Sequence, residues 1–468
     1  MALLPLLDIA RSGLLAQEVG LSVVGNNIAN VNTPGYSRER AILAQEVPGQ
    51  YAGALLGRGV RVRSVEQVVD PLIDRRLRGA GTDRGEQTAR REQLARLSAL
   101  ANDLDEPSLA TSLDTFFDAA DALARNPAGM PERQVLLGRA AALAGEVNRR
   151  SQQLGTLQRA ADDRIAALVA EANGEVDRIA ELNGAIAGAE LSGQAAAPLR
   201  DERELALQSL ARKVGVDMID VGQAGARVSL TNGVVLVEGA RVVNRLAAEP
   251  GTTAGIDAAP LHDLGIAAPG GGFVPLASGY QHGEIAGLRS VRDGELMRAA
   301  TQLDAFAATL ASAVNAVQQN GAALDLDGNP TVAVPLFTGT TAATLGLAVT
   351  DPRRIAAARS TEPGDAANAL ALADLRSARH AGLGSATLSS WLAAEQARIG
   401  QEAGLADDVA TAAELLATQV RSERDAVSGV NLNEELANLL RFQHAFEASA
   451  KLVAVADRVL DELVNLVR

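Results

Sequence analysis

The chain has 468 residues, of which 47% are hydrophobic but only 2% aromatic; it has no cysteine, a formal net charge of −14 and a sequence pI near 4.9. That length predicts roughly two to four domains, the missing thiols exclude disulfides, thiolate metal sites and cysteine nucleophiles, and the acidic excess argues against a surface that tracks nucleic-acid phosphates. With so few rings, Ala, Leu and Val must fill the cores, which favours long helices packed through small side chains.

The first 31 residues carry apolar positions alternately three and four apart: Leu7, Ala10, Leu14, Leu21, Val24, Ile28 and Val31, with Gln17 as the one polar member. Such a stripe is a coiled-coil seam, narrower than the face of a core helix. No Lys or Arg precedes it, and Asp8 and Arg11 interrupt it, so it does not read as a cleaved export leader. Asn26-Asn-Ile-Ala-Asn-Val-Asn-Thr-Pro-Gly-Tyr36 then reads as a helix stop followed by a type II turn. Asn tolerates the left-handed conformation, Pro34 fixes φ at the second turn position and Gly35 supplies positive φ at the third. Arg58, Arg61, Arg63, Arg75, Arg76 and Arg78 form a basic patch, expected to be a solvated face or a contact with an acidic neighbouring subunit.

Long helical patterns follow. Residues 84–125 show Leu94, Leu97, Leu100 and Leu104; residues 132–190 show Leu143, Val147, Leu154, Leu157, Ile165, Leu168, Ala172, Val176 and Ile179. The period drops towards two between Val214 and Pro275, where Arg227–Leu230 and Val234–Val237 flank an Asn232-Gly233 turn, a strong hairpin signal. A loop marked by Pro269 and Gly270–Gly272 leads to a helix over 284–319 with Leu303, Phe306, Leu310, Val314 and Val317 on one face. A last long helix, 386–427, carries Leu388, Leu392, Ile399, Val409, Leu416, Val420 and Val427. At ~1.5 Å per residue the two longest helices reach ~60–90 Å, the dimensions of a rod.

The last 30 residues repeat the opening pattern with Leu439, Phe442, Phe446, Ser449, Val453, Ala456, Leu460, Leu463 and Val467. Two matching seams at opposite ends predict that the ends pack on each other and that everything between is an excursion from that base. Gly429 breaks the preceding helix, Asn431 caps the next, and Glu434 is placed as a capping-box partner. The uncharged stretches 305–324 and 328–350 are interrupted by polar residues or by Pro and Gly, so neither reads as a membrane span of ~18 or more apolar residues. Asp325-Leu-Asp-Gly-Asn329 lacks the Gly and acidic positions of a calcium loop and reads as a turn. His262, His282, His380 and His444 are scattered, and no nucleophile elbow or phosphate loop is present; catalytic residues, cofactors and metal ligands are all expected to be absent.

The segment Asn26–Tyr36, with Asn26, Asn27, Asn30, Asn32, Thr33, Pro34, Gly35 and Tyr36 as its signature, resembles the N-terminal motif of the flagellar rod, hook and hook-associated proteins. Ser428-Gly-Val-Asn-Leu-Asn-Glu-Glu435, Asn438-Leu-Leu-Arg-Phe-Gln443, Ala445–Ala450 and Ala456-Asp457 resemble the C-terminal motif of the hook-associated branch. In the middle, Glu181-Leu-Asn, Leu199-Arg-Asp-Glu-Arg203, Lys213–Val216, Asp325–Pro330, Pro335-Leu-Phe337 and Val349-Thr-Asp-Pro352 are similar to that branch too, with 240–280 the least similar stretch. Many relatives carry a further β-rich domain where this chain has only Thr338–Ala348, so that domain is expected to be missing.

The resulting expectation is a mainly α chain with a β-rich insert. Residues 1–40 and 428–468 would pair as a coiled coil, 41–213 and 284–427 (with an irregular stretch 321–385) would form a helical rod, and 214–283 a small outer β-rich domain, replaceable by a linker. The resemblance implies a structural, non-enzymatic part that polymerises as a helical layer, with hook or distal rod protein as the alternative. It also implies export without a cleaved leader through the type III apparatus, a chaperone on the C-terminal helix, and an extracellular place between hook protein and a second junction protein. The assembly segment would comprise Gly429, Asn431, Leu439, Phe442, Phe446, Val453, Ala456, Leu460, Leu463 and Val467. Both ends, 1–31 and 439–468, are expected to order fully only on assembly, because a narrow two-helix seam offsets little of the ~1–2 kcal/mol per residue of backbone entropy.

Overall fold

The structure, a computed structural model, describes residues 3–51, 54–102, 108–192, 194–220, 225–268, 271–276, 280–324, 329–362 and 364–466. Helix α1 (Leu3–Ala29) opens the chain, followed by strands β1 (Glu39–Gln45), β2 (Gly49–Tyr51), β3 (Ala54–Leu56) and β4 (Val60–Gln67). β1 pairs antiparallel with β4, and β2 with β3. This arm corrects the expectation that 41–213 is helical from its start. The signal was present: Val60, Val62 and Val65 against Arg61, Arg63 and Ser64 begin a period-two strand, which the arginines caused to be read as a charge patch.

Helices α2 (Pro71–Asn102), α3 (Leu109–Arg125), α4 (Met130–Leu191) and α5 (Ala197–Val214) follow. The expected helical stretch 84–125 is divided between α2 and α3, and Leu104 lies outside the described residues. The insert begins with β5 (Val216–Asp220), β6 (Ala226–Leu230), β7 (Val235–Glu238) and β8 (Arg241–Val242), an antiparallel meander turning at Asn232-Gly233. β9 (Arg245–Ala254), β10 (Pro260–Ala268) and β11 (Gly272–Pro275) form a second, three-stranded sheet. Then come α6 (Gly283–Ser290), a π-turn over Val291–Glu295, and α7 (Leu296–Gln319). Short strands β12 (Ala322–Leu324), β13 (Pro330–Val332), β14 (Phe337–Thr338) and β15 (Gly346–Leu347) lead to α8 (Ala367–Asp374), α9 (Leu388–Ser428) and α10 (Leu432–Leu466). β14 and β15 close Thr338–Ala348 into a small hairpin, and the calcium-like segment 325–328 falls outside the described residues.

The axis of the rod is α2 against α9. Arg76–Glu423 at 2.8 Å, Arg84–Glu414 at 3.4 Å and Arg91–Asp407 at 3.9 Å fix an antiparallel register, continued by Gln396 donating to the Ala101 carbonyl at 2.9 Å. Exposed pairs of this kind add at most ~1 kcal/mol each, so they set register more than stability. Arg58 reaches Asp8 at 3.9 Å, Arg61 reaches Glu46 at 4.0 Å and Arg78 is clamped by Glu204 at 2.7 Å. The basic patch therefore finds much of its acidic complement within its own chain. On α9 the buried stripe is Leu388, Leu392, Ile399, Ala406, Ala410, Ala417 and Val420, whereas Val409, Leu416 and Val427 are 41%, 46% and 40% exposed. The helix buries its alanines against α2 because close helix approach needs small side chains, a preference that a search for large apolar residues overlooks.

The two largest cores among the described residues lie along the rod. One joins Leu113, Phe116 and Phe117 of α3, Leu136 and Leu143 of α4, Phe306 and Leu310 of α7, and Leu336 and Ile355 of the irregular stretch. The other joins Ile165, Leu168, Val176 and Ile179 of α4 with Leu207 and Leu210 of α5. It also takes in Val228, Leu236, Val237, Leu246, Leu264 and Tyr280 from the insert. Buried polar links reinforce the second core. Asn183 donates to the Ala226 and Gly239 carbonyls, and Asp162 accepts from the His262 backbone N–H and from Arg292 of the π-turn. The insert is thus half of a shared core, which revises the expectation that a linker can replace it at no cost.

Candidate functional site

The two terminal seams meet. α1 and α10 run antiparallel with Asn27 opposite Glu435, Gly20 opposite Phe442 and Gly13 opposite Ser449, so the contacts repeat every seven residues on each helix. Glycine at position 20 lets the Phe442 ring pack against the backbone of α1: a Cβ there would lie 2.6 Å from the ring, which would have to move. Ala10, Val24 and Ala456 are buried, and Leu439, Phe442, Ser449 and Val453 are half-buried on the contact face. Phe446 and Leu460, expected in the seam, sit at its flank, 37% and 36% exposed. The Leu463 side chain and Val467 lie outside the described residues. Beyond the seam, Leu436, Leu440, Leu452 and Val455 point outward at 49%, 56%, 42% and 48% exposure.

The Asn-rich signature is a joint built around one buried amide. Asn27, 1% exposed, donates to the Glu39 carbonyl at 2.9 Å and to Glu435 Oε2 at 3.1 Å. Its Oδ1 accepts from the Glu39 N–H at 2.9 Å and the Tyr36 hydroxyl at 2.8 Å. The side-chain amide thus pairs with the start of β1 as a neighbouring strand would, and uses its full capacity of two donated and two accepted bonds. Asn26 donates to the Tyr36 hydroxyl at 3.3 Å, while Asn30 donates back to the Asn26 carbonyl at 3.0 Å and accepts from Thr33 Oγ1 at 3.1 Å. Tyr36 N–H closes the turn onto the Thr33 carbonyl at 3.2 Å with Pro34 and Gly35 between. Gly35 has φ +81°, and a Cβ on it would lie 2.7 Å from Leu205. Asn32 is exposed.

Three further elements converge on this loop, none of them announced by the motif. Arg424 of α9 donates to the Gly35 carbonyl at 3.0 Å, the Tyr36 carbonyl at 3.1 Å and Ser37 Oγ at 2.8 Å. Asp201 of α5 accepts from the Ser37 N–H at 3.0 Å and from Gln67 at 2.8 Å. Arg38 joins its N–H to the Ser428 carbonyl at 2.8 Å and its guanidinium to Glu434 at 2.7 Å. Glu434 therefore serves Arg38 and not the expected capping box. Asn431 does cap α10, its Oδ1 accepting from the Asn433 N–H at 3.0 Å, and Gly429 ends α9. Sequence spacing could not point to Arg424 or Asp201, since each lies more than a hundred residues from the loop it holds.

Burial moves the ionisation of this cluster. Desolvation pushes the Glu39, Asp74, Asp201 and Glu204 carboxyls above their ordinary values, partly opposed at Glu39 by Asn26, at Asp201 by the Ser37 donors, and at Asp74 and Glu204 by arginines. Desolvation also raises the Tyr36 phenol, which stays neutral and donating. A carboxyl with a raised folded pKa binds more protons folded than unfolded, so its penalty is present at neutral pH and relieved as pH falls through the folded value. Acidification from pH 7 to 5 should therefore not open the joint through these groups; protease cleavage near Val430 that rises steadily over that range would contradict this.

Asn27→Asp replaces two donated bonds with a carboxylate facing Glu435 and a carbonyl. The expected cost is ~2–4 kcal/mol, read as faster amide exchange throughout α1 with α4 unchanged; equal protection of α1 would refute the central role of the amide.

Among the described residues no group of three His, Cys, Asp or Glu side chains is placed to hold a metal ion, and no helix is long and apolar enough to cross a membrane.

The family model for the flagellar hook-associated protein FlgK helical domain matches residues 94–371. Models for flagella basal body rod protein and for the C-terminal part of flagellar basal body rod FlgEFG proteins match residues 7–36 and 422–466. The chain is similar to flagellar hook-associated protein 1 of Escherichia coli K12, 27% identical over 98% of this chain and 99% of that protein. It is similar also to flagellar hook-associated protein 1 of Bacillus subtilis 168, 25% identical over 98% and 97%. A solved structure of the flagellar hook junction protein FlgK from Burkholderia pseudomallei shares the fold, with a TM-score of 0.63 and 17% identity over 76% of this chain and 100% of that one.

Proposed function

This chain belongs to the flagellar hook-associated protein FlgK family, structural components of the flagellum, and we propose that it forms the short helical layer that adapts the hook to the filament. The observation that carries this reading is the joint: one Asn-rich loop ties the terminal helix pair to the end of the rod axis where α9 finishes and α2 begins. Such a connection lets a polymer's inner wall, made of α1 and α10, bear on an outer layer made of the rod. The outward Leu436, Leu440, Leu452 and Val455 favour further burial against like pairs from neighbouring copies, repeated heterologously around a tube. Hook protein below and a second junction protein above are the neighbours in this reading. Before assembly the same apolar surface of α10 suits an export chaperone, and export through the type III apparatus would place the protein outside the cell. In this reading the protein performs no catalysis. A hook or distal rod protein is disfavoured because rod models match only the two ends, whereas 94–371 matches the hook-associated helical domain.

A strain lacking the gene should shed flagellin into the medium from cells with intact hooks; normal filaments in that strain would reject the proposal. Val453→Asp, a carboxylate on the half-buried seam, should cost ~1–3 kcal/mol of pairing and abolish filament attachment while residues 90–420 keep their protease resistance. Leu460→Asp, at the flank, should do less. Normal swimming of the Val453→Asp strain would show that the seam is not the inner wall.

A further inference from the structure

Four Asn-Gly pairs occur in the chain: Asn173-Gly174, Asn183-Gly184, Asn232-Gly233 and Asn320-Gly321. A glycine after asparagine puts no side chain in the way of its own backbone nitrogen, which can then reach the asparagine side-chain carbon. The fold decides which pair is free to do so. Two pairs are locked inside α4. Asn173 donates to the Leu246 carbonyl at 2.8 Å and accepts from the Leu246 N–H at 2.9 Å. Asn183, 1% exposed, donates to the Ala226 and Gly239 carbonyls and accepts from Arg203 at 3.0 Å. Asn320, the C-cap of α7, is exposed, but the glycine after it is wedged in place. A Cβ on Gly321 would lie 2.3 Å from the Asn368 amide, and no described residue donates to the Asn320 side chain.

Asn232 differs on each count. Thr231, Asn232 and Gly233 are all exposed at the β6–β7 turn, and a Cβ on Gly233 would meet nothing within 4 Å. Asn232 Oδ1 accepts from the Val234 N–H at 3.2 Å, which folds the side chain back over the Gly233 peptide and polarises its carbonyl. The Gly233 N–H donates to the Leu230 carbonyl at 2.8 Å, so one turn bond must open first. A bond at a hairpin tip opens far more readily than one inside a long helix.

We propose that Asn232 is a site of spontaneous covalent modification, closing on Gly233 to a succinimide that hydrolyses to isoaspartate and aspartate. The Gly233 nitrogen gives its proton to hydroxide and bonds to Asn232 Cγ. The Val234 N–H stabilises the negative charge that develops on Oδ1. The Cγ–Nδ2 bond breaks, and Nδ2 takes a proton from water and leaves as ammonia. Water then opens the imide. Attack at the main-chain carbonyl leaves isoaspartate, with one extra methylene in the backbone, and attack at Cγ leaves aspartate. The sum is one water consumed and one ammonia lost, with no oxidant or enzyme. The lost ammonia does not return, so the converted fraction records the age of the folded chain. The extra methylene falls between Leu230 and Val234, whose N–H and carbonyl close the turn, and Leu230 belongs to the core shared with α4.

For the test, the purified chain is incubated at neutral pH in heavy-oxygen water, then digested, and each Asn-Gly peptide is followed by mass spectrometry. Only conversion during the incubation carries the heavy oxygen. The Asn232 peptide should convert at least ~tenfold faster than the other three, in proportion to hydroxide as pH rises, with isoaspartate and aspartate separated by fragmentation. In denaturant the four rates should converge. Asn232→Gln, which would need a six-membered ring, should abolish conversion at the turn and leave the other pairs unchanged. Conversion at Asn173, Asn183 or Asn320 as fast as at Asn232 in the folded chain overturns the assignment. So does a folded Asn232 that stays intact while the unfolded chain converts.

Discussion

Replacing residues 216–280 by a short linker is expected to unfold the half of the rod that contains α5 and the C-terminal part of α4. Val228, Leu230, Leu236, Val237, Leu246, Leu264 and Tyr280 are at most 5% exposed, and they cover Ile165, Leu168, Val176 and Ile179 of α4. Each such side chain contributes ~1.5–3 kcal/mol on burial, so together they contribute about 10–20 kcal/mol, comparable to the ~5–15 kcal/mol net stability of a whole domain. The polar links are lost too. Asn183 loses two carbonyl acceptors, and Asn173 loses both bonds to Leu246. Asp162 loses the His262 N–H and ring while Arg292 still faces it. The shortened protein should bind a hydrophobic dye, lose helical circular dichroism and be cut between residues 160 and 210, while the core around Phe116 and Phe306 persists. A single transition at the wild-type midpoint would show that the insert is dispensable. The graded variant Leu236→Ala, at a 0% exposed position, should cost ~2–5 kcal/mol.

Arg424→Ala should uncouple the terminal pair from the rod. Its side chain is 11% exposed and is held between the Gly35 and Tyr36 carbonyls and the Ser37 hydroxyl. It also opposes the desolvation that raises Asp74 and Asp201. Alanine leaves two carbonyls unpaired and two half-buried carboxyls with less positive charge nearby, a loss of ~3–5 kcal/mol at the joint. Lysine keeps the charge but not the planar fork that spans two carbonyls, so Arg424→Lys should recover only part of it. The readout is protease nicking near Val430 in the purified chain together with loss of motility, with the melting transition of the two rod cores unshifted. A swimming Arg424→Ala strain with an uncut 429–431 link would show that the joint is carried by Asn27 and Asp201 alone.

Most elements were legible because their signals are local. Period-3.6 apolar spacing marked α4 and α7, Asn232-Gly233 marked the β6–β7 turn, and Thr33-Pro34-Gly35-Tyr36 marked a turn whose φ at Gly35 is +81°. The terminal pairing was also within reach, since two stripes of equal period at opposite ends have few other partners. Local signals carry no information where burial is shared between distant segments. Val409 and Leu416 looked like core positions by hydropathy but are exposed, because α9 meets α2 through Ala406, Ala410 and Ala417. Phe446 fell at the seam's flank because an antiparallel register, fixed by Gly20 under Phe442 and Asn27 against Glu435, sets which side of α10 faces α1.

By itself the sequence determined the helices, the hairpin turn, the terminal seams and the family motif, since each depends on residues a few positions apart. Tertiary structure alone decided that the insert shares a core with α4, that much of the basic patch is matched internally, and that Arg424 and Asp201 clasp the signature loop. These contacts join separate elements of the chain, and side-chain desolvation and hydrogen bonding select them only once the chain has folded back on itself.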